Sequence, residues 1–299
     1  MEKMSFWRRV KFNRRSKKQV LLSRSRAGNL GILLFLLLIC SFMALPMVYA
    51  IMQSLKPIDE IFLYPPRFYV KNPTLDNFSQ VIVLAGSLWV PFTRYLFNSL
   101  FITTIGTSVY LIIAAMAGYS LAKGKFKGCA TVAEIVTLTL LFRPEVTAIP
   151  AYFIVAKLGI IDTYWALLLP PLAGSMGVFL IRQFATAAIE DSTLEAARID
   201  GASEYKIFAS IVVPSIKPAL LTTVIFTFQS MWNAAGTSQY IFSESLKELP
   251  TVLSTIAAGG IARQGAASAV AVILMIPPIA VFLFTQSSIM QTMTHSGMK

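Results

Sequence analysis

Ionisable side chains are scarce in this chain of 299 residues. Only 13% of the residues are charged and 56% are hydrophobic, whereas a soluble domain usually carries about a quarter charged residues. Histidine occurs once, at His295, and cysteine twice, at Cys40 and Cys129. Neither a metal-ligand spacing nor a disulfide framework can be built from so few ligands. The composition is that of a membrane protein, and we expect neither a metal site nor a catalytic site in the chain.

Motifs of self-contained enzymes are also missing. The sequence holds no G-x-x-x-x-G-K-[ST] phosphate loop, so this chain is not expected to hydrolyse ATP itself. The apolar segments carry no cluster of His, Asp or Glu, which argues against a membrane-embedded enzyme.

Long uncharged segments are the main positive feature. A bilayer core of about 30 Å needs about 20 mostly apolar residues in each spanning helix. Asp, Glu, Lys and Arg are absent from five segments of sufficient length, residues 27–55, 95–122, 163–181, 218–243 and 264–298. A sixth segment, residues 128–149, is weaker because it contains Glu134 near its start and the triplet "RPE" near its end. The sequence therefore predicts an all-α membrane protein with six transmembrane helices.

Glu134 has two interpretations. A carboxylate inside a bilayer is costly and usually functional, so Glu134 is a candidate intramembrane site. Lys125 and Lys127 lie close to it in the sequence, which favours a position at the membrane interface or against a neighbouring helix.

The positive charge is concentrated at the N-terminus. Residues 1–29 hold ten Lys or Arg against Glu2 alone, within a net charge of +12 for the chain. Positively charged flanks stay cytoplasmic, and with six spans the inside segments hold 18 Lys and Arg against 8 outside. We therefore expect both termini in the cytoplasm, a basic arm over residues 1–29 and a transmembrane domain over residues 30–299. Anionic membrane lipids are a secondary partner of the arm, and nucleic acid is not expected as a partner.

A cleaved signal peptide is an alternative for the first apolar segment. The small-residue site would be "VYA" at residues 48–50. The apolar run continues past that site and an unusually long basic region precedes it, so we expect the first span to be retained.

A polar segment interrupts the apolar chain at residues 195–214, "EAARIDGASEYKIFASIVVP". Ser192 and Glu195 have the spacing of a capping box that would start a helix, and Gly201 suits the left-handed residue that ends one. A second helix would carry Tyr205, Phe208 and Ile211 as an apolar stripe, until Pro214 stops it. A solvated connector is the alternative, but the regularity of the segment favours a face that docks on a cytoplasmic protein.

This segment resembles the EAA loop of integral membrane subunits of binding-protein-dependent ABC importers. Val213 replaces the usual leucine. The matching positions are Glu195, Ala196, Ala197, Asp200, Gly201, Ala202, Phe208, Ile211 and Pro214. The resemblance implies a type I ABC importer permease fold in which this EAA loop, at about residues 190–218, forms coupling helices that fit the ATP-hydrolysing subunit. On this basis we expect a bulky residue at Gly201 to uncouple ATP hydrolysis from uptake.

Other segments resemble the carbohydrate-uptake branch of these importers, specifically its maltose-type second permease subunit. They are residues 144–170, "FLIRQF" before the loop, "MWN" at residues 231–233 and the tail "MQTMTHSGMK". The resemblance implies a sugar permease of the bacterial cytoplasmic membrane without a cofactor of its own. Its implied partners are a second permease subunit, two ATP-binding subunits that hold ATP and Mg²⁺, and an extracytoplasmic sugar-binding protein.

Two further regions are candidates for substrate and partner contact. Gln229, Trp232 and Asn233, with Thr227 and Ser230 nearby, offer polar groups at membrane depth, which face either a sugar path or a neighbouring helix. The loop at residues 243–265 would, by resemblance, reach toward the binding protein, and its "AGG" suits a tight turn. A flexible linker is the alternative for this loop.

An ion-coupled secondary transporter is the main alternative function. Such proteins tend to show internal repeats and ionisable residues at the bilayer midplane. The sequence shows no obvious repeat and only Glu134 as a midplane candidate, so an ATP-driven importer is favoured.

Overall fold

The computed structural model describes residues 26–86, 90–233, 239–260 and 263–296. Over these ranges the chain forms helices and no β-strand, so the predicted all-α class is confirmed. The helices are α1 (Arg26–Ser54), α2 (Ile58–Ile61), α3 (Asp76–Gly86), α4 (Phe92–Lys123), α5 (Cys129–Thr139), α6 (Pro144–Lys157), α7 (Tyr164–Leu172), α8 (Met176–Ala188), α9 (Asp191–Ile199), α10 (Glu204–Ile207), α11 (Val213–Ser215), α12 (Lys217–Trp232), α13 (Leu249–Ala257) and α14 (Gln264–Ser296). A π-helical segment, Phe208–Val212, joins α10 to α11.

Several of these helices are long and apolar enough to cross a membrane. Among the described residues, four stretches qualify alone: Gly28–Ser54, Phe92–Lys123, Tyr164–Ala188 and Gln264–Gln286. A fifth is the helix pair Glu204–Ser215 and Lys217–Trp232, which is bent by 77°. The chain is therefore a multi-pass membrane protein, whereas the count of six spans stays a prediction.

The weak candidate span at residues 128–149 is not a single helix. Helix α5 ends at Thr139, and α6 begins at Pro144 after an extended Arg143 with φ −77° and ψ 144°. A residue that precedes proline is disfavoured in the helical conformation, which explains a break at this position. Helices α5 and α6 have 11 and 14 residues, so each is shorter than a typical membrane span. Glu134 lies on the exposed side of α5, and its position at the interface stays a prediction.

The chain divides into two compact units, residues 1–48 and 49–299. Within the first unit, the structure describes the part of α1 that begins at Arg26. Its apolar side chains are exposed, as expected for a helix surrounded by lipid. The predicted basic arm lies outside the described residues up to residue 25.

In the second unit, α4 packs closely on α8 and α12. A Cβ atom on Gly118 of α4 would lie 2.7 Å from the Cγ2 atom of Ile181, and one on Gly106 would lie 2.8 Å from the side chain of Met231. Small residues at such crossings let the two helix backbones approach each other, which is a common way of packing membrane helices.

The described residues of the loop at 243–265 include α13, which joins a hydrophobic core with α3, α4, α12 and α14, so this part is not a flexible linker. Pro250 lies in the first turn of α13, where its missing N–H has no helical partner to lose. The apolar face of this helix is buried, with Leu249, Val252, Leu253 and Ile256 each at most 3% exposed. The "AGG" that follows forms a tight turn in which Gly260 has φ +80°, as predicted from the sequence.

Candidate functional site: the coupling loop and the membrane cavity

The first helix of the segment that resembles the EAA loop, α9, begins without the predicted capping box. The residue before it is Glu190, which is extended, and no side chain makes a cap hydrogen bond there. Ser192 lies inside the first turn, two residues past the N-cap position of Glu190, so its hydroxyl does not act as the cap. The capping-box prediction is therefore wrong.

An ion pair joins the start of α9 to the end of α4. The Lys123 Nζ atom, at the end of α4, lies 2.8 Å from the Asp191 Oδ1 atom. The hydrogen bond and the positive charge of Lys123 lower the pKa of the Asp191 carboxyl. A carboxylate in the first helical turn also interacts favourably with the helix dipole. The contact ties the end of α4 directly to the start of α9.

Gly201 ends α9 as the sequence predicts. Its φ is +76°, a left-handed conformation that side chains with a Cβ atom rarely adopt. The Ala202 N–H donates to the Ala197 carbonyl and the Gly201 N–H to the Arg198 carbonyl, both at 3.0 Å. These are the paired hydrogen bonds of a Schellman motif, so three of the matched EAA positions form one helix-ending turn.

Polar contacts on the other side of Gly201 start the second helix. Ser203 is its N-cap, and its hydroxyl accepts a 3.4 Å hydrogen bond from the Lys206 N–H. The Arg198 Nε atom of α9 lies 2.7 Å from the Glu204 Oε1 atom of α10. Because this ion pair bridges the two helices, it restrains the angle between them.

Pro214 does not stop the second helix. The helical path runs from Glu204 to Ser215, and the 77° bend follows at Ile216. Just before the proline, the Val213 N–H donates to the Phe208 carbonyl in the π-helical segment, and such a wide turn relieves the clash that a proline ring makes in an α-helix. Pro214 and Pro218 flank the bend, and neither supplies a backbone donor. The predicted stop is therefore displaced to Ile216.

The two helices bury one side and expose the other. Leu194, Ile207 and Val212 are at most 2% exposed, and they share a core cluster with residues of α4, α8 and α12. Tyr205 is 84% exposed, whereas Phe208 and Ile211 are half-buried against that cluster. The prediction that Tyr205, Phe208 and Ile211 form one exposed apolar stripe is therefore wrong, because only Tyr205 is exposed and the other two pack against the core.

The nine matched positions are distributed over both sides of the loop. Exposed are Glu195, Ala196, Asp200, Gly201 and Pro214, and half-buried are Ala197, Ala202, Phe208 and Ile211. The largest exposed apolar side chains of the loop lie beside Gly201: Ile199, which is 87% exposed, and Tyr205. We did not single out Ile199 from the sequence, because an isoleucine in an amphipathic helix is ordinarily a core residue.

A cavity of about 930 Å³ lies between α12 and the helices α4 to α8. One face of α12 lines it with Thr223, Phe226, Thr227, Ser230 and Met231. Their spacing of three and four residues is that of a single helix face. Gln229, Trp232 and Asn233 fall outside this face, and none of the three lines the cavity.

Trp232 packs between helices. It is 1% exposed, and its indole Nε1 atom donates to the Leu274 carbonyl of α14 at 2.9 Å. In a regular helix that carbonyl would accept from residue 278, but Pro278 has no N–H. The indole therefore satisfies a backbone group that the proline leaves open. For Trp232, the structure shows the interhelical packing that the sequence analysis left open as an alternative.

The other two residues of the predicted sugar path are exposed. Gln229 lines a shallow groove of about 240 Å³ beside Pro278 and Phe282 of α14. Asn233 follows the last turn of α12. A contact of either residue with the substrate stays a prediction.

Comparison with known proteins identifies the family. The family model described as "Binding-protein-dependent transport system inner membrane component" matches residues 111–295. The chain belongs to this family. The matched region contains residues 190–218, which resemble the EAA loop, and all cavity-lining residues of α12. Both features therefore lie in the part of the chain that the family shares.

Individual relatives point to carbohydrate transport. The chain is 29% identical over 261 residues to the arabinooligosaccharides transport system permease protein AraQ of Halalkalibacterium halodurans, covering 85% of this chain and 90% of that protein. It is 28% identical over 276 residues to the polygalacturonan/rhamnogalacturonan transport system permease protein YtcP of Bacillus subtilis, covering 86% and 91%.

A solved structure shares the fold. The crystal structure of a bacterial ABC transporter that imports the acidic polysaccharide alginate contains a chain that matches with a TM-score of 0.72 and 22% identity, covering 88% of this chain and 98% of that one. This structure shows the shared fold, and the family match and the relatives confirm the resemblance to carbohydrate ABC permeases. The chain is a transport component, as its family membership shows, and not an enzyme.

Proposed function

We propose that this chain is a permease subunit of an ATP-driven importer that carries an oligosaccharide across the cytoplasmic membrane. The observation that carries the proposal is the two-helix unit at residues 191–215. It ends α9 on a Schellman turn at Gly201, exposes Ile199 and Tyr205 beside that turn, and joins the core of α4, α8 and α12 on its other side.

The proposed mechanism uses this unit as a rigid lever. Closure of two ATP-binding subunits moves the exposed side of the loop. Its buried side chains, above all Leu194 and Ile207, transmit the movement to Ile181 and Ala185 of α8. Since a well-packed core transmits displacement with little compression, the membrane helices move together with the loop. This chain and a second permease subunit then change from an inward-facing to an outward-facing arrangement.

The remaining partners follow from the family. An extracytoplasmic sugar-binding protein delivers the substrate, and ATP and Mg²⁺ bind to the partner ATPase. Both termini lie in the cytoplasm in this arrangement, since the charge asymmetry of 18 Lys and Arg inside against 8 outside favours it. The carbohydrates after which the two relatives are named make an oligosaccharide the proposed substrate.

Side-chain substitutions at the exposed tip test the docking. Large apolar side chains that are exposed in a free subunit are typical anchors of an interface. We expect Ile199→Asp and Tyr205→Ser to reduce co-purification of the ATP-binding subunits at least tenfold and to abolish uptake. Tyr69→Ser is the matched control, because Tyr69 is 58% exposed but lies outside the loop. Undiminished co-purification of both loop variants would contradict the proposed docking surface.

The energy source distinguishes an ATP-driven importer from the alternative, an ion-coupled secondary transporter. Uptake into proteoliposomes should require ATP together with the co-expressed ATPase. Uptake that is driven by an ion gradient without the ATPase would favour the alternative.

A further inference from the structure

We propose that residues 57–75, here called the aromatic loop, rest on the lipid surface and insert apolar side chains among the headgroups of one leaflet. In the arrangement proposed above, this is the extracytoplasmic leaflet. The inference goes beyond the proposed function, because the partner that it assigns to the loop is neither the substrate nor another subunit. It depends only on the passage of α1 through the membrane.

Two charged side chains connect the two halves of the aromatic loop. The Lys56 side chain, which is 2% exposed, donates from its Nζ atom to the Arg67 carbonyl. The Glu60 carboxylate accepts hydrogen bonds from the Lys71 N–H at 3.1 Å and the Asn72 N–H at 3.0 Å. These contacts hold the loop in one conformation, so its exposed side chains form a surface of fixed shape.

The two ends of the aromatic loop are joined as well. Asn77 of α3 donates from its side-chain amide to the Ser54 carbonyl at 2.9 Å and to the Lys56 carbonyl at 2.7 Å. The Thr74 N–H donates to the Leu55 carbonyl at 2.9 Å. The loop therefore leaves the end of α1 and returns to it.

Large apolar and aromatic side chains are exposed on the aromatic loop. Tyr64 is 90% exposed and Phe62 is 54% exposed. The others, exposed between 42% and 69%, are Leu63, Phe68, Tyr69 and Leu75. An exposed apolar surface on a segment of fixed shape indicates contact with a membrane or with another protein.

The ring of Phe68 places the aromatic loop at the depth of the headgroups. The span Gly28–Ser54 has 27 residues, so it is about 40 Å long, which matches a bilayer together with its headgroup regions. Tyr49 lies about 8 Å before the end of this span, close to the boundary between headgroups and acyl chains. The ring centroids of Tyr49 and Phe68 are 5.6 Å apart. The loop therefore folds back along α1 into the interfacial layer.

The composition of the aromatic loop fits a neutral lipid surface. Tyrosine is enriched at membrane–water interfaces, where its ring contacts lipid and its hydroxyl reaches water, and phenylalanine and leucine are typical inserted side chains. The charges balance, with Asp59 and Glu60 against Arg67 and Lys71. A loop without net charge is not drawn to anionic headgroups, so insertion of its apolar side chains is the expected contact.

Fluorescence quenching in lipid nanodiscs tests the position of the aromatic loop. The complete permease–ATPase complex is reconstituted in neutral phosphatidylcholine, with Cys40→Ser and Cys129→Ser removing both native cysteines of this chain. Tyr64→Cys then carries an environment-sensitive fluorophore. Ser245→Cys is the matched control, because Ser245 is exposed on the segment before α13. The quenchers are iodide in water and a phosphatidylcholine with a doxyl group near the top of its acyl chain.

We expect the lipid quencher to act at least about threefold more strongly on the label at Tyr64 than on the label at Ser245, and iodide to act in the reverse order. Strong iodide quenching at Tyr64 would overturn the inference, because the loop would then lie in water, open to a soluble partner. Protection of Tyr64 from both quenchers would overturn it too, since a neighbouring subunit would then cover the loop. The assay contains neither sugar nor ATP, so its failure leaves the proposed function untouched.

A charge placed on the apolar surface should lift the aromatic loop. Leu63→Asp, beside the labelled position, introduces a carboxylate that is costly to insert among lipids, and we expect iodide quenching of the Tyr64 label to rise about two- to fivefold. Gln80→Asp adds the same charge at an exposed position of α3 outside the loop, and it should leave the quenching unchanged. An unchanged signal in Leu63→Asp would show that apolar insertion does not hold the loop.

Lipid charge separates apolar insertion from electrostatic attraction. Replacing part of the phosphatidylcholine by phosphatidylglycerol should leave the quenching of the Tyr64 label unchanged, because the aromatic loop has no net charge. A marked increase of lipid quenching with phosphatidylglycerol would assign the contact to Arg67 and Lys71 and would contradict the inference.

Discussion

Asp162 and Ser243 join two segments that lie 81 positions apart in the chain. The Asp162 carboxylate accepts hydrogen bonds from the Phe242 N–H at 3.0 Å and the Ser243 N–H at 2.8 Å, and the Ser243 hydroxyl also donates to it. The backbone closes the same contact, since the Asp162 N–H donates to the Tyr240 carbonyl at 2.9 Å. The contact therefore connects the turn before α7 to the segment that leads toward α13.

Replacing Asp162 by Asn should destabilise the protein by about 0.5–1.5 kcal/mol, because the neutral amide makes weaker hydrogen bonds than the carboxylate and replaces one acceptor oxygen by an N–H₂ donor. Asn tolerates the positive φ of 59° at this position, so the substitution isolates the hydrogen bonds from backbone strain. The measurement is the thermal unfolding midpoint of the purified complex, with the exposed Asp59→Asn as control. Equal unfolding midpoints for the two variants would show that the charge of Asp162 does not contribute to the stability of the protein.

The same carboxylate predicts a dependence on pH. Hydrogen bonds from the Ser243 hydroxyl and N–H lower the pKa of Asp162 in the folded protein. A carboxyl with a lowered pKa contributes its full stability above its unfolded value of about 3.9 and loses it as the pH falls through the folded value. The difference between the wild type and Asp162→Asn should be constant from about pH 5 to 8 and shrink below about pH 4. A difference that stays constant under acid conditions would contradict the assignment.

Gly201 should be sensitive to the presence of a Cβ atom and insensitive to its size. Its φ is +76°, and no atom lies within 4 Å of the position that a Cβ would occupy. We expect Gly201→Ala and Gly201→Leu to cause a similar strain of about 1–2 kcal/mol and a similar loss of uptake per ATP hydrolysed, with Gly201→Asn intermediate.

Gly128→Ala is the control for this prediction, because Gly128 has φ +89° and equally open surroundings outside the loop. It should leave the ratio of uptake to ATP hydrolysis unchanged. If Leu uncouples the importer and Ala does not, side-chain volume and not backbone strain is decisive, as expected from the resemblance alone.

Reversing the charges of Arg198 and Glu204 tests whether their ion pair sets the angle between α9 and α10. We expect Glu204→Arg alone to lower coupled uptake, since it places two cations side by side where the wild type has a 2.7 Å contact. The double variant Arg198→Glu with Glu204→Arg should recover most of the loss. A double variant as defective as the single one would show that one of these residues acts through another partner.

Trp232→Phe should destabilise the packing of α12 on α14. The substitution keeps an aromatic ring but leaves the Leu274 carbonyl without its 2.9 Å partner, which costs about 1–3 kcal/mol for a buried group. Thermal unfolding in detergent measures the effect. The exposed Trp165 supplies the control variant Trp165→Phe, since it is 60% exposed. Weaker sugar binding by Trp232→Phe at an unchanged unfolding midpoint would instead support the substrate-path prediction.

Local chemistry was predictable where neighbouring residues determine it. The left-handed turn at Gly201 and the tight turn at Gly260 follow from the preference of glycine for positive φ. The boundaries around Ser192 and Pro214 were wrong, because the Lys123 contact and a π-helical segment also act on them. Neither feature has a short-range signal in the sequence.

By itself the sequence indicated that this is a membrane protein of the all-helical class, and it located the segment that resembles an EAA loop. Composition, the length of uncharged segments and a local motif carry that information, since each depends on residues close together in the chain. Only the tertiary structure decided three relationships. The Trp232 indole donates to the Leu274 carbonyl that Pro278 leaves open, the Asp162 carboxylate accepts hydrogen bonds from Ser243, and Thr223 rather than Gln229 lines the cavity. These relationships join residues far apart in the chain or depend on which face of a helix a neighbour covers, and packing alone sets both.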